Sequence, residues 1–348
     1  MVSDGRRRAL ERAAAACHDE EMKAIAAEHP GEPQVMTLQE VPSASPAADE
    51  VLVDVAACGV NYIDTYQRSG VYSVDFPFTP GLEGAGVVAS VGTQVDWAAP
   101  GDRVAWASTS RSYAQQVRLR RSDAYQVPEG VGLDVAAAVM LQGLTAHYLS
   151  ASSFPLHGGH TALVHAGAGG VGLLLTQLAV ARGARVITTV SGDRKEELSR
   201  ATGATEVIRY ERFRDIATEL PGAIRALTDG SGVDVVYDGV GASTFDGSLA
   251  SLAVRGTMVL FGGASGQVPA FSLQRLNSGG SLSITRPSLG HFLRTDEERA
   301  WRAGDLFSGI AAGDLDVRIG ETFSLSQASH AHEALEGRRT TGKVLLLP

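Results

Sequence analysis

The chain has 348 residues, 44% hydrophobic and 20% charged, with 40 glycines and a net charge of −9. That length allows two domains with cores of their own, and the acidic balance argues against nucleic acid or an anionic membrane as a partner. Two cysteines, Cys17 and Cys58, exclude a disulfide framework and a cysteine-built zinc site, and no apolar run is long enough to span a membrane. A reducing, cytoplasmic setting is expected.

Residues 1–21 combine Arg6-Arg7-Arg8 and the alanines Ala13–Ala16 with acids at Asp4, Glu11, Asp19, Glu20 and Glu21. Transit peptides are poor in acids, so a disordered extension is expected here, with the domain opening at Met22 as an edge strand. Residues 22–130 hold short apolar runs broken by Pro and Gly: Val35–Leu38, Val51–Ala57, Ala85–Val91, Arg103–Trp106 and Tyr113–Val117. Such repetition predicts a compact, barrel-like β domain. Asn61 to Ser69 reads as a brief helix with Asn61 at its N-cap. Leu133 to Leu149 has a helical pattern and leads into the next domain.

An apolar run, Ala162–His165, then enters Gly167-x-Gly169-x-x-Gly172, followed by an apolar helix, Val171–Ala181, and a second run, Arg185–Val190. This is the strand–turn–helix–strand setting that gives three glycines a meaning. The first makes the turn, the second admits a pyrophosphate, and the third lets helix and strand approach. The helix start offers N–H groups to phosphate. Strands over Val186–Val190, Glu206–Ile208, Val233–Tyr237, Thr257–Phe261 and Ser281–Thr285 alternate with helices over Asp193–Thr202, Phe213–Leu227 and Thr244–Leu252. The alternation predicts a doubly wound parallel sheet. Helices over Trp301–Ala312 and Ser326–Glu336 follow, and a last strand, Val344–Leu347, is expected to rejoin the β domain.

The tip of the second strand of such a fold separates NAD from NADP. NAD proteins place an acid there for the ribose 2′-OH. Here the strand ends Thr189-Val190-Ser191-Gly192, with Lys195 next. A hydroxyl and a cation suit a 2′-phosphate, which favours NADPH; a solvated helix lysine is the plain alternative. Asp193 reads as a helix cap ahead of Glu196.

These stretches, with others, resemble the quinone oxidoreductase (zeta-crystallin-like) branch of the medium-chain dehydrogenase/reductase superfamily, from about residue 22 onward. The resemblance rests on the blocks Cys58–Tyr66, Pro80–Gly86, Gln142–Ala146, Phe261–Gly266, Thr285–Pro287 and Thr340–Lys343, and on A-x-x-G-x-x-G through Ala166, Gly169 and Gly172. It implies an α/β chain in which a Rossmann doubly wound parallel sheet joins a GroES-like substrate domain, commonly as a homodimer. The implied boundaries are 22–146 for the substrate domain, 147–286 for the NADPH-binding domain and 287–348 for a returning segment. Zinc-dependent relatives carry Cys where this chain has Asn61, His where it has Leu82, and a third ligand at Gln142. A zinc-free enzyme is therefore implied. His157, His160, His330 and His332 read as surface residues.

The implied reaction is hydride transfer from NADPH to a quinone or another electron-poor small molecule, without metal. Asn61, Asp64 and Tyr66 match the family's cleft residues; a cap and ordinary packing are the alternatives. In similar 2-enoyl thioester reductases a Tyr at the place of Tyr72 is a proton donor; lining the cleft is the alternative here. On the cofactor, Thr145 is expected at the nicotinamide, and Ala166, Gly167, Gly169, Gly170, Val171 and Gly172 at the pyrophosphate. Ser191, Lys195 and Tyr210 are expected at the 2′-phosphate, Phe261 and Gly262 along the nicotinamide ribose, and Arg286 and Arg338 as nearby cations. Glu83 reads as a structural partner for a nearby cation, a catalytic acid being the alternative. An enone or enoyl-thioester reductase is the first alternative, and a non-catalytic NADPH-binding protein of crystallin type the second.

Overall fold

The computed structural model describes residues 21–348; of the disordered extension expected over 1–21, residues 1–20 lie outside them. The chain forms two units, one from its first part through Leu141 joined by Ile319–Pro348, the other from Gln142–Arg318.

The first unit opens with strands β1 (Glu21–Ala27) and β2 (Met36–Pro42), an antiparallel pair. Then come β3 (Glu50–Val60), helix α1 (Tyr62–Arg68), β4 (Glu83–Val91), β5 (Arg103–Trp106), β6 (Gln116–Arg120) and β7 (Tyr125–Gln126). Tyr113, expected inside a strand, precedes β6 and is instead buried among Ile25, Cys58 and Val60. Helix α2 (Leu133–Tyr148) follows.

The second unit alternates β8 (Thr161–Val164), α3 (Gly170–Ala181), β9 (Arg185–Val190), α4 (Asp193–Ala201), β10 (Glu206–Arg209), α5 (Ile216–Leu227), β11 (Val233–Asp238), α6 (Phe245–Ser251) and β12 (Leu252–Leu260). Helix α7 (Gln274–Ser278), β13 (Ser283–Thr285) and α8 (Asp296–Ala312) complete it. Its strands are parallel, in the order β10-β9-β8-β11-β12-β13. The order reverses on either side of β8, so the glycine turn leaves at the switch point where this architecture takes ligands. Leu163, Ile187, Val236 and Met258 from the sheet meet Leu220, Ile224 and Leu249 from the helices in one apolar cluster. Both sheet faces are covered, which is why these strands read as unbroken apolar runs.

Helix α8 starts five residues before the expected Trp301. The Thr295 hydroxyl accepts from the Glu298 amide, and Asp296, Glu297 and Glu298 fill the first turn, a charge pattern that favours an N-terminus. The chain then adds β14 (Ile319–Ser324), absent from the expected set, α9 (Ala328–Glu336) and β15 (Lys343–Leu347). Strand β15 lies between β14 and β3 in a seven-stranded sheet ordered β14-β15-β3-β4-β5-β7, with β6 also paired to β3.

Candidate functional site

In the second unit, the turn after β8 is built from backbone. Ala166 takes a left-handed φ of 52°, the Gly167 amide donates to the Thr189 carbonyl at 3.0 Å, and the Gly169 amide to the Ala166 carbonyl at 2.8 Å. A Cβ on Gly172 would stand 2.3 Å from the Ala166 oxygen, and one on Gly167 2.6 Å from Cβ of Thr188. Both contacts are closer than a real Cβ makes, and the Gly172 contact is with rigid backbone. Gly169 caps α3 without a side chain, so the first-turn N–H groups keep their capacity for an anion. Gly170 packs on Gln142, and Val171 is half-buried.

A buried polar cluster fixes this turn from behind. His165 bonds Thr189 through Nδ1 and Ser248 through Nε2, both at 2.8 Å. Ser248 and Thr244 donate to Oδ2 of Asp238 at 2.8 and 2.7 Å, and the amides of Val240 and Gly241 to its Oδ1 at 2.8 and 3.0 Å. The Asp238 carbonyl accepts from the amides of Phe261 and Gly262. Burial lowers the His165 pKa, with the Asp238 charge working against it. One cluster thus ties the ends of β8, β9, β11 and β12 together.

At the end of β9, Gly192, not Asp193, caps α4: the Glu196 amide bonds the Gly192 carbonyl, and Gly192 holds a φ of 99° that only glycine adopts easily. Asp193 is the first helical residue and instead pairs with Arg209. Lys195 Nζ donates to Ser191 Oγ at 3.3 Å. Tyr210 begins a short 3₁₀ turn directly after β10. Pairing of β10 with β9 sets Arg209 opposite Val190. Its guanidinium also binds Glu211, through Nε at 3.0 Å, and the Glu211 carboxylate lies 3.6 Å from where a Gly192 Cβ would be. A carboxylate therefore does stand past Val190. It comes from the chain after β10, which a search along β9 alone does not reach.

Thr145 is buried in α2, and Arg286 Nη1 donates to the Leu260 carbonyl at 2.9 Å. Both belong to the second unit with the residues above. Arg338 lies in the first unit, just past α9, with a φ of 54°.

In the first unit, Asn61 caps α1, and Asp64 Oδ2 accepts its amide at 2.8 Å. The Asn61 side chain also reaches Glu83 and Lys343: Nδ2 donates to Glu83 Oε1 at 2.6 Å, and Oδ1 accepts from Lys343 Nζ at 2.9 Å. Lys343 also pairs with Glu83, and Glu83 Oε2 accepts the Leu141 amide at 2.7 Å. Glu83 is thus the partner of a cation, as expected from the sequence; that cation is the buried lysine of β15. Tyr66 is half-buried and meets the exposed Tyr72 ring edge-on at 5.3 Å.

Asp64 continues into a second chain. Tyr113 Oη donates to Asp64 at 2.9 Å and lies 3.1 Å from His332 Nε2; His332 Nδ1 faces Arg68 Nη1 at 3.4 Å; Arg68 forks onto Glu336 at 2.8 and 2.9 Å. His332 corrects the surface assignment, being fully buried. It belongs to the inward stripe of α9 with Ala328, Ala331 and Ala334, while His330 stays exposed. His157 is exposed, and His160 is half-buried with its ring 3.7 Å from that of His157.

Burial raises Asp64 from 3.8 to about 7, against the Asn61, Tyr113 and Lys343 interactions. Burial, then the Arg68 charge, lowers His332 from 6.5 to about 3. Between those His332 values the unfolded chain binds the extra proton, so this group makes stability rise with pH. Between 3.8 and about 7 the folded chain binds the extra proton at Asp64, so this group makes stability fall with pH. The two oppose each other over about pH 4–6.5. Urea midpoints should therefore fall with rising pH in His332→Gln and rise in Asp64→Asn, with the unaltered protein between them. Equal slopes in all three would contradict the assignment. Burial also pushes the Cys58 thiol up to about 12, so it is an inert packing group.

Residues 47–157 match the alcohol dehydrogenase GroES-like domain, and residues 170–304 match the zinc-binding dehydrogenase family. A quinone oxidoreductase of Pseudomonas aeruginosa is 42% identical over 91% of this chain and 97% of its own. A 2-haloacrylate reductase of a Burkholderia species is 36% identical over 91% and 96%. A mycobacterial protein solved in complex with NADPH superposes with a TM-score of 0.90, at 49% identity over 94% of this chain and 100% of its own.

Zinc does not fit the residues present. Among the described residues no three His, Cys, Asp or Glu side chains are grouped to hold a metal, and the Lys343 ammonium already sits on Asn61 and Glu83. A second cation against that ammonium would be repelled. With its parallel sheet, its glycine turn and its likeness to quinone oxidoreductases over nearly the whole chain, the protein belongs to the quinone oxidoreductase branch of the medium-chain dehydrogenase/reductase superfamily.

Proposed function

We propose that the chain is an NADPH-dependent quinone reductase. The observation that carries this reading is the end of β9, where Ser191 and Lys195 lie together after the strand that neighbours the one leading into the glycine turn. When bound, NADPH supplies a hydride from C4 of its nicotinamide. Gly167, Gly169 and the first turn of α3 hold the pyrophosphate, Ser191, Lys195 and Tyr210 the 2′-phosphate, and Thr145, Phe261, Gly262 and Arg286 the remainder. A quinone accepts electrons readily and takes its proton from solvent, so the protein's task is positioning. The edge-on pair Tyr66 and Tyr72 offers aromatic surface to a planar acceptor, and Asn61, held by Lys343 and Glu83, carries the adjoining polar group. On this reading Asp64 acts through Asn61, whose amide it holds. The family resemblance also supports a homodimer acting on a small molecule, with Arg338 as a further cation.

The test is a turnover screen with NADPH against quinones, enones and 2-haloacrylate. Quinones should give the highest kcat/KM, and NADPH should bind more tightly than NADH. A second reading, reduction of an activated alkene, is favoured by the 2-haloacrylate reductase relative and by the Tyr72 hydroxyl as a proton donor. It would prevail if alkenes were the better substrates and Tyr72→Phe selectively slowed them.

A further inference from the structure

Arg209 has no part in the cofactor site as read from the sequence, yet its placement is unusual for a surface arginine. Its side chain is 17% exposed, while its two acidic partners, Asp193 and Glu211, are 80% and 40% exposed. The guanidinium is thus the fixed member of the cluster, and the carboxylates are the parts that face water. Strand pairing puts Arg209 opposite Val190, one residue from Ser191, whose hydroxyl accepts from Lys195. Two cations and two carboxylates therefore meet at the end of β9, where the reading above places the 2′-phosphate.

A dianion arriving between two carboxylates is repelled unless cations outweigh them. Lys195 alone balances one charge. A guanidinium fork matches phosphate oxygens as well as it matches a carboxylate, and Glu211 is a partner on a side chain that can turn outward. We infer that Arg209 is a second, specificity-determining cation for the 2′-phosphate, and that Glu211 is its exchangeable counter-ion. The phosphate takes the place of Glu211 on the guanidinium, so Glu211 opposes NADPH. In its resting place the same carboxylate can accept a hydrogen bond from the 2′-OH of NADH. The site discriminates by exchange of anions on one arginine and should be less selective than a site holding cations alone.

This inference rests on the placement of the phosphate at Ser191 and Lys195, and the experiment separates the two. Affinities of the full chain for 2′,5′-ADP and 5′-ADP, measured by calorimetry, isolate the phosphate from the nicotinamide. Arg209→Gln should weaken 2′,5′-ADP about tenfold, the scale of a hydrogen bond to a charged group, and leave 5′-ADP unchanged. Glu211→Gln should bind 2′,5′-ADP several-fold more tightly and bind NADH more weakly. An Arg209→Gln that shifts both probes equally, or neither, overturns the role of Arg209; a Glu211→Gln that loosens 2′,5′-ADP overturns the exchange. Lys195→Gln is the control. If it abolishes the preference while Arg209→Gln does not, the phosphate placement stands and Arg209 falls; if neither variant alters the preference, both fail.

Discussion

Replacing Lys343 with Met should destabilise the first unit by about 3–5 kcal/mol, the range for leaving one member of a buried ion pair without its partner. Glu83 is 0% exposed and Lys343 1%, so water cannot take over the lost role. The carboxylate would keep its bonds from Asn61 Nδ2 and the Leu141 amide but lose the charge that balances it, and Asn61 Oδ1 would lose the Lys343 donor. Trp97 and the buried Trp106 lie in the apolar cluster of this unit, so urea unfolding followed by tryptophan fluorescence in a Trp301→Phe background reads it. The double variant Lys343→Met, Glu83→Gln should recover part of the loss, because a neutral amide no longer needs the cation. A Lys343→Met protein as stable as the parent would show that the pair contributes nothing.

Asp238→Ala should act on the other unit and on the cofactor together. The Asp238 carboxylate accepts four hydrogen bonds, from Val240, Gly241, Thr244 and Ser248, and is wholly buried. Each donor left unsatisfied costs about 1–3 kcal/mol, and relaxation makes the sum smaller than its parts, so a loss of about 3 kcal/mol or more is expected. Ser248 also holds His165, the residue before the glycine turn. Its release should loosen the turn and weaken NADPH binding about tenfold, measured by nucleotide fluorescence titration. Asp238→Asn, which keeps an acceptor but turns a donor toward other donors, should fall between. Unchanged NADPH affinity in a destabilised Asp238→Ala would separate the cluster from the turn.

The second unit was legible because its signals are local. Its strands are buried on both faces and read as apolar runs, and the expected Ala162–His165 differs from β8 by a single residue at each end. The glycine turn sits within one strand–helix junction, so spacing alone exposes it. What escaped depends on partners remote in sequence. Glu83 calls for a cation by its context, yet its Lys343 lies 260 positions away. His332 and His330 are two apart on a helix and must face differently, but which one turns inward is decided by Tyr113 and Arg68, far upstream. Arg209 and Glu211 reach the end of β9 only because β10 is its neighbour in the sheet. Strand β12 was expected at Thr257 and begins at Leu252; Arg255 with φ 65° and Gly256 interrupt the apolar pattern within it.

The position of β15 has a consequence for biosynthesis. Residues 343–347 occupy a place between β14 and β3, so residues 58–60 of β3 wait for a neighbour made almost three hundred residues later. The Rossmann unit, drawn from one uninterrupted stretch, can assemble while translation continues. The first unit stays unfinished until residue 347 has left the ribosome, and until then the Cys58–Val60 edge of β3 lacks its partner and is open to mispairing.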